Sequence, residues 1–274
     1  MPWKPSSENS RWRKRDDEAA GNKVNLLSVD FDFFFRKVER WEDGKTPDGR
    51  NTFFLYDWGH KESPFMIKAL WPIRAVGFLD AGLPLPSTTG EEQMFWSRFR
   101  FKKGARFYYA ESHSQIARPK LLRDILQIWS FDAHHDAGYK TDTLDRIHET
   151  ERVSAEDWVV YAQALGIHVR VIYPRWRSYA LEDEPPDADV DRLVDDGEKA
   201  SRVVFDRVFV CRSGAWVPSW VDEQFFAFMD AAPFKKKQLI GIPIERREWE
   251  TAVQQIRENN AKLKEFSREG EERQ

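Results

Sequence analysis

The sequence predicts an α/β fold: a three-layer α/β/α sandwich around a central, mainly parallel sheet. Three observations lead there. The apolar run from Ile125 to Phe131 ends abruptly in Asp132-Ala133-His134-His135-Asp136-Ala137-Gly138, as buried strands do when ligand-type residues gather at the carboxyl edge of a sheet. A second run, Val24 to Phe35, is the most apolar stretch of the chain and carries Asp30 and Asp32 toward its far end. A helix-like segment, Ser154 to Gly166, leads directly into the alternating segment Ile167 to Tyr173, the helix-then-strand rhythm of a parallel sheet.

At 274 residues the chain can form one large α/β domain or two small ones. A formal net charge of -3 argues against a general nucleic-acid or membrane surface. Cys211 is the single cysteine, which excludes an intrachain disulfide and a cysteine zinc cluster and fits a reducing compartment. No apolar run approaches the ~20 residues that span a bilayer, and the N-terminus lacks a signal-type apolar segment. The expectation is a soluble cytoplasmic protein.

Taken in order, residues 1–22 read as a polar tail; Arg11-Trp12-Arg13-Lys14-Arg15 is read as solvated rather than as a nucleic-acid arm. Residues 23–244 form the α/β domain. Its first strand is Val24 to Phe35, where two acids inside an apolar run point to a site rather than to solvated turn residues. Asp43 to Arg50 is a loop and Thr52 to Tyr56 a strand; Asp57, His60 and Glu62 form a possible second polar cluster, with a loop histidine the plainer reading. Pro64 to Val76 predicts a short helix interrupted at Pro72, Gly82 to Gly90 a loop, and Glu91 to Phe101 a helix with acidic residues first and basic ones last. Arg106 to Ala110 predicts a short aromatic strand, and Gln115 to Leu126 a helix with Pro119 in its first turn. The chain is polar from Tyr139 to Glu151. In Ser154 to Gly166, Ser154 is the expected N-cap, Asp157 its capping-box partner and Gly166 the C-cap. Leu181 to Lys199, acidic and carrying Pro185-Pro186, reads as a mobile insertion without the spacing of a calcium loop. Val203 to Cys211 predicts a strand and Pro218 to Asp230 a helix. Residues 245–274 form a charged amphipathic helix, whose Trp249, Val253, Ile256, Leu263 and Phe266 make one stripe, expected to dock on the body.

The ligand-type residues at the predicted strand ends are Asp30, Asp32, His113, Asp132, His134 and Asp136. Asp132, His134 and Asp136 alternate, so an extended backbone turns them to one side. Four carboxylates and two imidazoles are poor core material but suit two divalent ions, manganese first, with zinc or iron as alternatives. An ion pair ~3.5–4 Å apart activates water and polarises a substrate oxygen.

These residues resemble a family. Ser130-Phe131-Asp132-Ala133-His134-His135-Asp136 resembles the Asp-Ala-His-x-Asp motif of the arginase and agmatinase (ureohydrolase) superfamily. Ser28-Val29-Asp30-Phe31-Asp32 is similar to its Ser-x-Asp-x-Asp motif, and Ser112-His113-Ser114 to its Gly-Asp-His-Ser motif, with Ser112 in place of the aspartate. Together with Glu111, they also resemble a poorly characterised arginase-like family of unknown function. The resemblance covers three short motifs and the βα rhythm. It implies that Asp132 and Asp30 bridge two ions, His113 and Asp136 completing one and His134 and Asp32 the other, for hydrolysis at an sp2 carbon bonded to nitrogen. His148, twelve residues after Asp136, stands near where arginases carry a proton-shuttle histidine. Three departures stand out. The Asp-x-Asp motif comes first here and last in the family, which implies a rearranged strand order. Ala137-Gly138 replace the arginase asparagine, and no downstream carboxylate for a guanidinium is evident.

The expected function is metal-dependent hydrolysis of an amidine or amide carbon–nitrogen bond at a dinuclear manganese-type centre, on a small-molecule or peptide-like substrate. The related deacetylases make a mononuclear zinc deacylase the first alternative. The second is a non-catalytic scaffold that binds a partner through its basic arm and Trp216 and Trp220. No membrane partner is expected, nucleic acid is disfavoured, and a homo-oligomer is left open.

Overall fold

The computed structural model describes residues 24–35, 61–175, 186–194 and 198–271, with side chains of the last helix described to residue 265. Expectations about the tail, the Asp43–Arg50 loop, the Thr52–Tyr56 strand, Asp57, His60 and the Phe266 side chain fall outside these residues.

Among the described residues, seven strands form one all-parallel sheet: β1 (Val24–Asp30), β2 (Arg100–Ala110), β3 (Ile125–Phe131), β4 (His168–Tyr173), β5 (Asp191–Val194), β6 (Val204–Cys211) and β7 (Lys237–Leu239), in the order β5-β4-β3-β1-β6-β2-β7. The helices are α1 (Trp71–Asp80), α2 (Pro119–Leu122), α3 (Thr143–Thr150), α4 (Trp158–Ala164), α5 (Glu198–Ser201), α6 (Asp222–Ala231) and α7 (Trp249–Glu271), with shorter 3-10 turns between. Among the described residues no helix is long and apolar enough to cross a membrane.

Parallel strands covered on both faces read as continuous apolar runs, and the core shows why. Leu27, Val29, Trp129, Phe131, Val208 and Val210 point to one face, where the 3-10 helix Glu91–Arg98 and α6 bring Phe95, Trp96, Phe225 and Phe228. Leu26, Ile128, Val169, Val171, Phe209 and Cys211 point to the other, closed by α4 and by Ile116, Leu121 and Leu122. Phe95 makes edge-on ring contacts with Phe33, Phe34 and Phe131, each worth ~0.5–1.5 kcal/mol beyond the area it buries.

The register sets the site. Val29 pairs with Phe131, Asp30 with Cys211, and Ala110 with Cys211, so β3, β1, β6 and β2 end at one level. The chain leaves β1 toward β2 on one side and leaves β3 toward β4 on the other. The β3–β1 crevice is therefore the kind of switch point where α/β sheets bind ligands.

Several elements differ from expectation. β1 ends at Asp30, and a 3-10 turn over Phe31–Phe34 takes up the rest of the run. Pro72 does not interrupt its helix: a π-helical turn over Met66–Leu70 precedes α1, widening the helix where proline removes a donor. The helix expected over Gln115–Leu126 is two short pieces, because Arg118, which precedes Pro119, is extended at φ -65° and ψ 134°. The polar stretch after Tyr139 contains α3. The acidic insertion supplies edge strand β5 and helix α5, and Asp187 ties it down by accepting the Thr143 N–H at 3.0 Å. Ser154 donates its hydroxyl to the Asp157 carboxylate, where an N-cap oxygen was expected to accept a backbone N–H, and α4 proper begins at Trp158. The C-terminal helix α7 begins at Trp249 and docks: Val253, with Trp249 and Ile256, packs on Ala75 and Val76 of α1.

Candidate metal centre

Each strand exit delivers its polar residues by a local device. Asp30 ends β1 and caps the following turn, accepting the Asp32 N–H at 3.0 Å. After β3 the backbone does not stay extended. Asp132 accepts the His134 N–H at 2.7 Å and Asp32 accepts the Ala133 N–H at 3.1 Å, so the segment curls over the end of β1 and the expected period-two alternation is replaced by a turn. Asp136 takes the left-handed conformation at φ 50°, which aspartate adopts more readily than most residues. The turn closes through Gly138 at φ 75°, where a Cβ would collide with the Thr143 hydroxyl.

His113 must reach past β6 to meet the acids of β1 and β3. Two backbone bonds lash the exits of β2 and β6 together: Arg212 N–H to Ala110 C=O at 3.1 Å and Ser213 N–H to Glu111 C=O at 2.9 Å. Beneath them lies a buried ionic network. Arg212 pairs with Glu111 and, at 3.1 Å, with Asp222; Arg247 donates to Asp222 at 2.6 Å and to the Gly214 carbonyl at 2.8 Å. Gly214 has no room for a side chain, since a Cβ would meet the Glu111 carboxylate.

The structure brings together all six residues singled out in the sequence. His113 Nδ1 lies 3.3 Å from Asp30 Oδ2, 3.1 Å from Asp132 Oδ2 and 2.9 Å from Asp136 Oδ2. His134 Nδ1 lies 2.7 Å from Asp32 Oδ2 and 3.9 Å from Asp132 Oδ1. Asp132 thus turns one oxygen to each imidazole. His148 is exposed on α3 and belongs neither to these groups nor to the cavity described below.

The partners around them were not legible as site residues. Ser28 Oγ meets His113 Nε2 at 2.9 Å, and the Trp158 indole N–H donates to Asp136 Oδ2 at 2.8 Å. The Cys211 thiol lies 3.2 Å from Asp30 Oδ2, which also accepts from the Ser213 hydroxyl. His135, the second histidine of the motif, turns away: its Nδ1 accepts the Ala137 N–H and its ring stacks on Tyr139 at 4.2 Å. The one sequence mark Cys211 carries is its place at the end of an apolar strand, level with Asp30.

The electrostatics are those of a crowded anionic pocket. Burial, then the charge of Asp30, push Asp32 up to about 6. Burial and the neighbouring Asp136, Asp32 and Asp30 push Asp132 well above the usual carboxylate range. Burial opposes charge on His113, but Asp132, Asp136 and Asp30 outweigh it and hold the imidazole well above its ordinary value. On Asp30 burial is likewise outweighed by His113, which keeps that carboxyl low. Burial, reinforced by Asp30, raises the Cys211 thiol.

The donor set fits divalent ions. His113 Nδ1 and Asp132 Oδ2 are buried and make no well-directed hydrogen bond among the described residues, although three carboxylates crowd the nitrogen at 2.9–3.3 Å. Unsatisfied buried polar atoms are costly, and a cation would satisfy both at once. Among the described residues, three groups of donor atoms each lie within 4.8 Å of one another: Asp32, Asp132 and His134; His113, Asp132 and Asp136; and Asp30, His113 and Cys211. Each can hold a metal ion. Carboxylate and imidazole together suit manganese, iron or zinc.

A cavity of about 580 Å³ opens beside the site, lined among others by Glu62, Ser112, Ser114, Gln115, Arg146 and Trp216. Ser112 and Ser114 flank His113, and the Trp216 ring lies 6.1 Å from that of His134. Glu62 accepts the Ser112 hydroxyl at 2.6 Å. Burial raises its carboxyl, and Glu111, Asp30 and Asp136 add to that against the Ser112 bond.

Compared with known proteins, the chain matches no family model, no curated protein and no solved structure.

Proposed function

We propose that this protein is a metal-dependent hydrolase of an amidine or amide carbon–nitrogen bond, built around a pair of divalent ions of the manganese type, in an arginase-like α/β/α sandwich with its own strand order. The observation that carries this reading is the position of Asp132. Its Oδ2 faces the His113, Asp30 and Asp136 side, and its Oδ1 faces the His134 and Asp32 side, as a carboxylate shared by two adjoining sites would. Three motifs resembling those of ureohydrolases supply the six residues.

When bound, such ions supply Lewis acidity to a water and to the substrate's unsaturated carbon group. The protein's own groups do the rest. Asp30, Asp132, Asp136 and His113 would hold one ion and Asp32, Asp132 and His134 the other; Asp30, expected as a second bridge, falls in no candidate group with Asp32 and His134. Ser28 and Trp158 fix the His113 ring and the Asp136 carboxylate, setting direction and basicity from outside the ligand shell. The adjoining cavity admits the substrate, with Trp216 as an apolar wall. Glu62, its carboxyl raised above the ordinary value by burial and bonded to Ser112, would move a proton between cavity water and the departing nitrogen.

A mononuclear zinc deacylase remains the second reading, because His113, Asp132 and Asp136 form a complete trio of their own. Elemental analysis of protein purified without added metal separates the readings: two manganese-type ions per chain support the first, one zinc the second, and none a scaffold that binds a partner. Asp132→Asn is expected to stay folded and lose both metal and hydrolysis of amidine and amide test substrates. Unchanged metal content in that variant would remove Asp132 from the centre.

A further inference from the structure

Cys211 lies outside the carboxylate and imidazole set, yet it stands against it. It is fully buried at the end of β6, opposite Asp30 in the sheet register. Its Sγ is 3.2 Å from Asp30 Oδ2, and that oxygen is 3.3 Å from His113 Nδ1. One donor atom from each of Cys211, Asp30 and His113 falls within 4.8 Å of the other two. A tetrahedral ion with legs of about 2.0–2.3 Å to oxygen, nitrogen and sulfur sets its ligands about 3.3–3.6 Å apart. The two measured separations already approach that spacing. The thiol is not the sole pointer, since His113 is 1 % exposed and its Nδ1, without a hydrogen-bond partner among the described residues, lies 3.3 Å from the same Asp30 Oδ2.

We propose that Cys211, Asp30 and His113 form a thiolate site for a borderline or soft divalent ion, zinc or cadmium, which competes with the hard-ion pair. Competition follows from the geometry. His113 belongs both to this group and to the group with Asp132 and Asp136, its Nδ1 is the nitrogen that faces Asp30, Asp132 and Asp136 alike, and one nitrogen lone pair serves one ion. Loading therefore selects between two arrangements. Oxygen-rich ligation through Asp132 and Asp136 favours manganese; sulfur ligation through Cys211 favours zinc or cadmium. Entry of the soft ion converts the thiol to a thiolate and releases its proton to solvent, with no change in oxidation state. The inference rests on the metal-centre part of the reading above but not on hydrolysis.

Because Cys211 is the only cysteine in the chain, a sulfur signal has one source. The full-length protein, stripped with chelator, is titrated with cadmium while the ultraviolet sulfur-to-cadmium charge-transfer band is followed. Wild type is expected to develop the band to one equivalent, manganese added first should suppress it, and Cys211→Ser should lose it while still binding manganese by electron paramagnetic resonance. His113→Asn should weaken the cadmium response measured on the same band. Cadmium bound by wild type without a band would overturn the proposal. So would a band that is indifferent to both manganese and His113→Asn, which would make the thiol an independent binder. Failure of wild type to bind manganese at all, with the cadmium band intact, would instead overturn the dinuclear reading and leave a soft-ion site.

Discussion

Removing the charge of Asp32 should stabilise the ion-free protein and destabilise the loaded one. Asp32 is 1 % exposed, so solvent does little to screen it. Its carboxyl, ordinarily at 3.8, is raised to about 6 by burial and by Asp30. Below about pH 4 the folded and unfolded states are both protonated. As the pH climbs toward 6, the unfolded chain gives up its proton while folded Asp32 keeps it, so stability falls across that window and the loss is complete above it. The interval from 3.8 to about 6, at ~1.36 kcal/mol per pH unit, amounts to about 3 kcal/mol. Asn at this position keeps an oxygen for the Ala133 N–H and turns an amide toward His134 Nδ1, standing in for the protonated acid. In chelator at pH 7.5, Asp32→Asn is therefore expected to be about 3 kcal/mol more stable than wild type, or roughly 6–12 °C in melting temperature for a chain of this size. The gain should vanish toward pH 4. Manganese at a thousandfold excess over its dissociation constant adds about 4 kcal/mol to whatever binds it, so wild type should overtake the variant once loaded. Urea unfolding at both pH values, with and without manganese, reads all of this. An ion-free variant no more stable than wild type, or a gain that does not shrink on acidification, would refute the account of the cluster as charge-frustrated.

Trp158→Phe removes the donor to Asp136 and should cost about 1.5–3 kcal/mol in the ion-free protein and roughly 10–100-fold in manganese affinity, read by urea unfolding and by metal titration. Asp222→Ala leaves Arg212 and Arg247 without their shared carboxylate, and should cost about 3–5 kcal/mol by the same unfolding assay. Because Asp32 holds its proton up to about 6, manganese loading at pH 5 should release about one more proton per chain than loading at pH 8. Calorimetry in buffers of differing ionisation enthalpy measures that difference, and equal release at the two pH values would count against Asp32 as a ligand.

The parts of the fold that were legible in the sequence are those whose residues carry their own reason for being where they are. β1, β3, β4 and β6 bury the residues at their carboxyl ends on both faces of the sheet, and those apolar residues, bounded by turn residues, are what marked them as strands. β7 was missed because Lys237–Leu239 has no strand pattern; its pairing with Phe107, Tyr108 and Tyr109 of β2 makes it one. β5 was hidden in an acidic stretch for the same reason, its register set by β4. α3 buries only Thr143 and Ile147, too little apolar surface to show through eight polar-dominated residues. At the site, acids inside apolar runs stood out because burial without a partner is costly. Cys211 did not, because a single thiol at the end of an apolar strand is ordinary core material until a carboxylate is found 3.2 Å away.

The chain order of the motifs was the main objection to joining them, since the Asp-x-Asp segment precedes the other two. In an all-parallel sheet that order carries no spatial information by itself. Every strand must return to the same end before the next begins, so each exit arrives at one rim, and only lateral position remains to be decided. Here β1 takes the centre, flanked by β3 and β6, with its last five residues buried. That places Asp30 and Asp32 beside Asp132 however early they occur in the chain. His113 is the exception, since β2 is separated from β1 by the whole of β6. Its reach depends on the bonds from Arg212 and Ser213 to the β2 exit and on the Arg212–Glu111 pair beneath them. The same lashing leaves Cys211, the last residue of the intervening strand, facing the ligand space between Asp30 and His113.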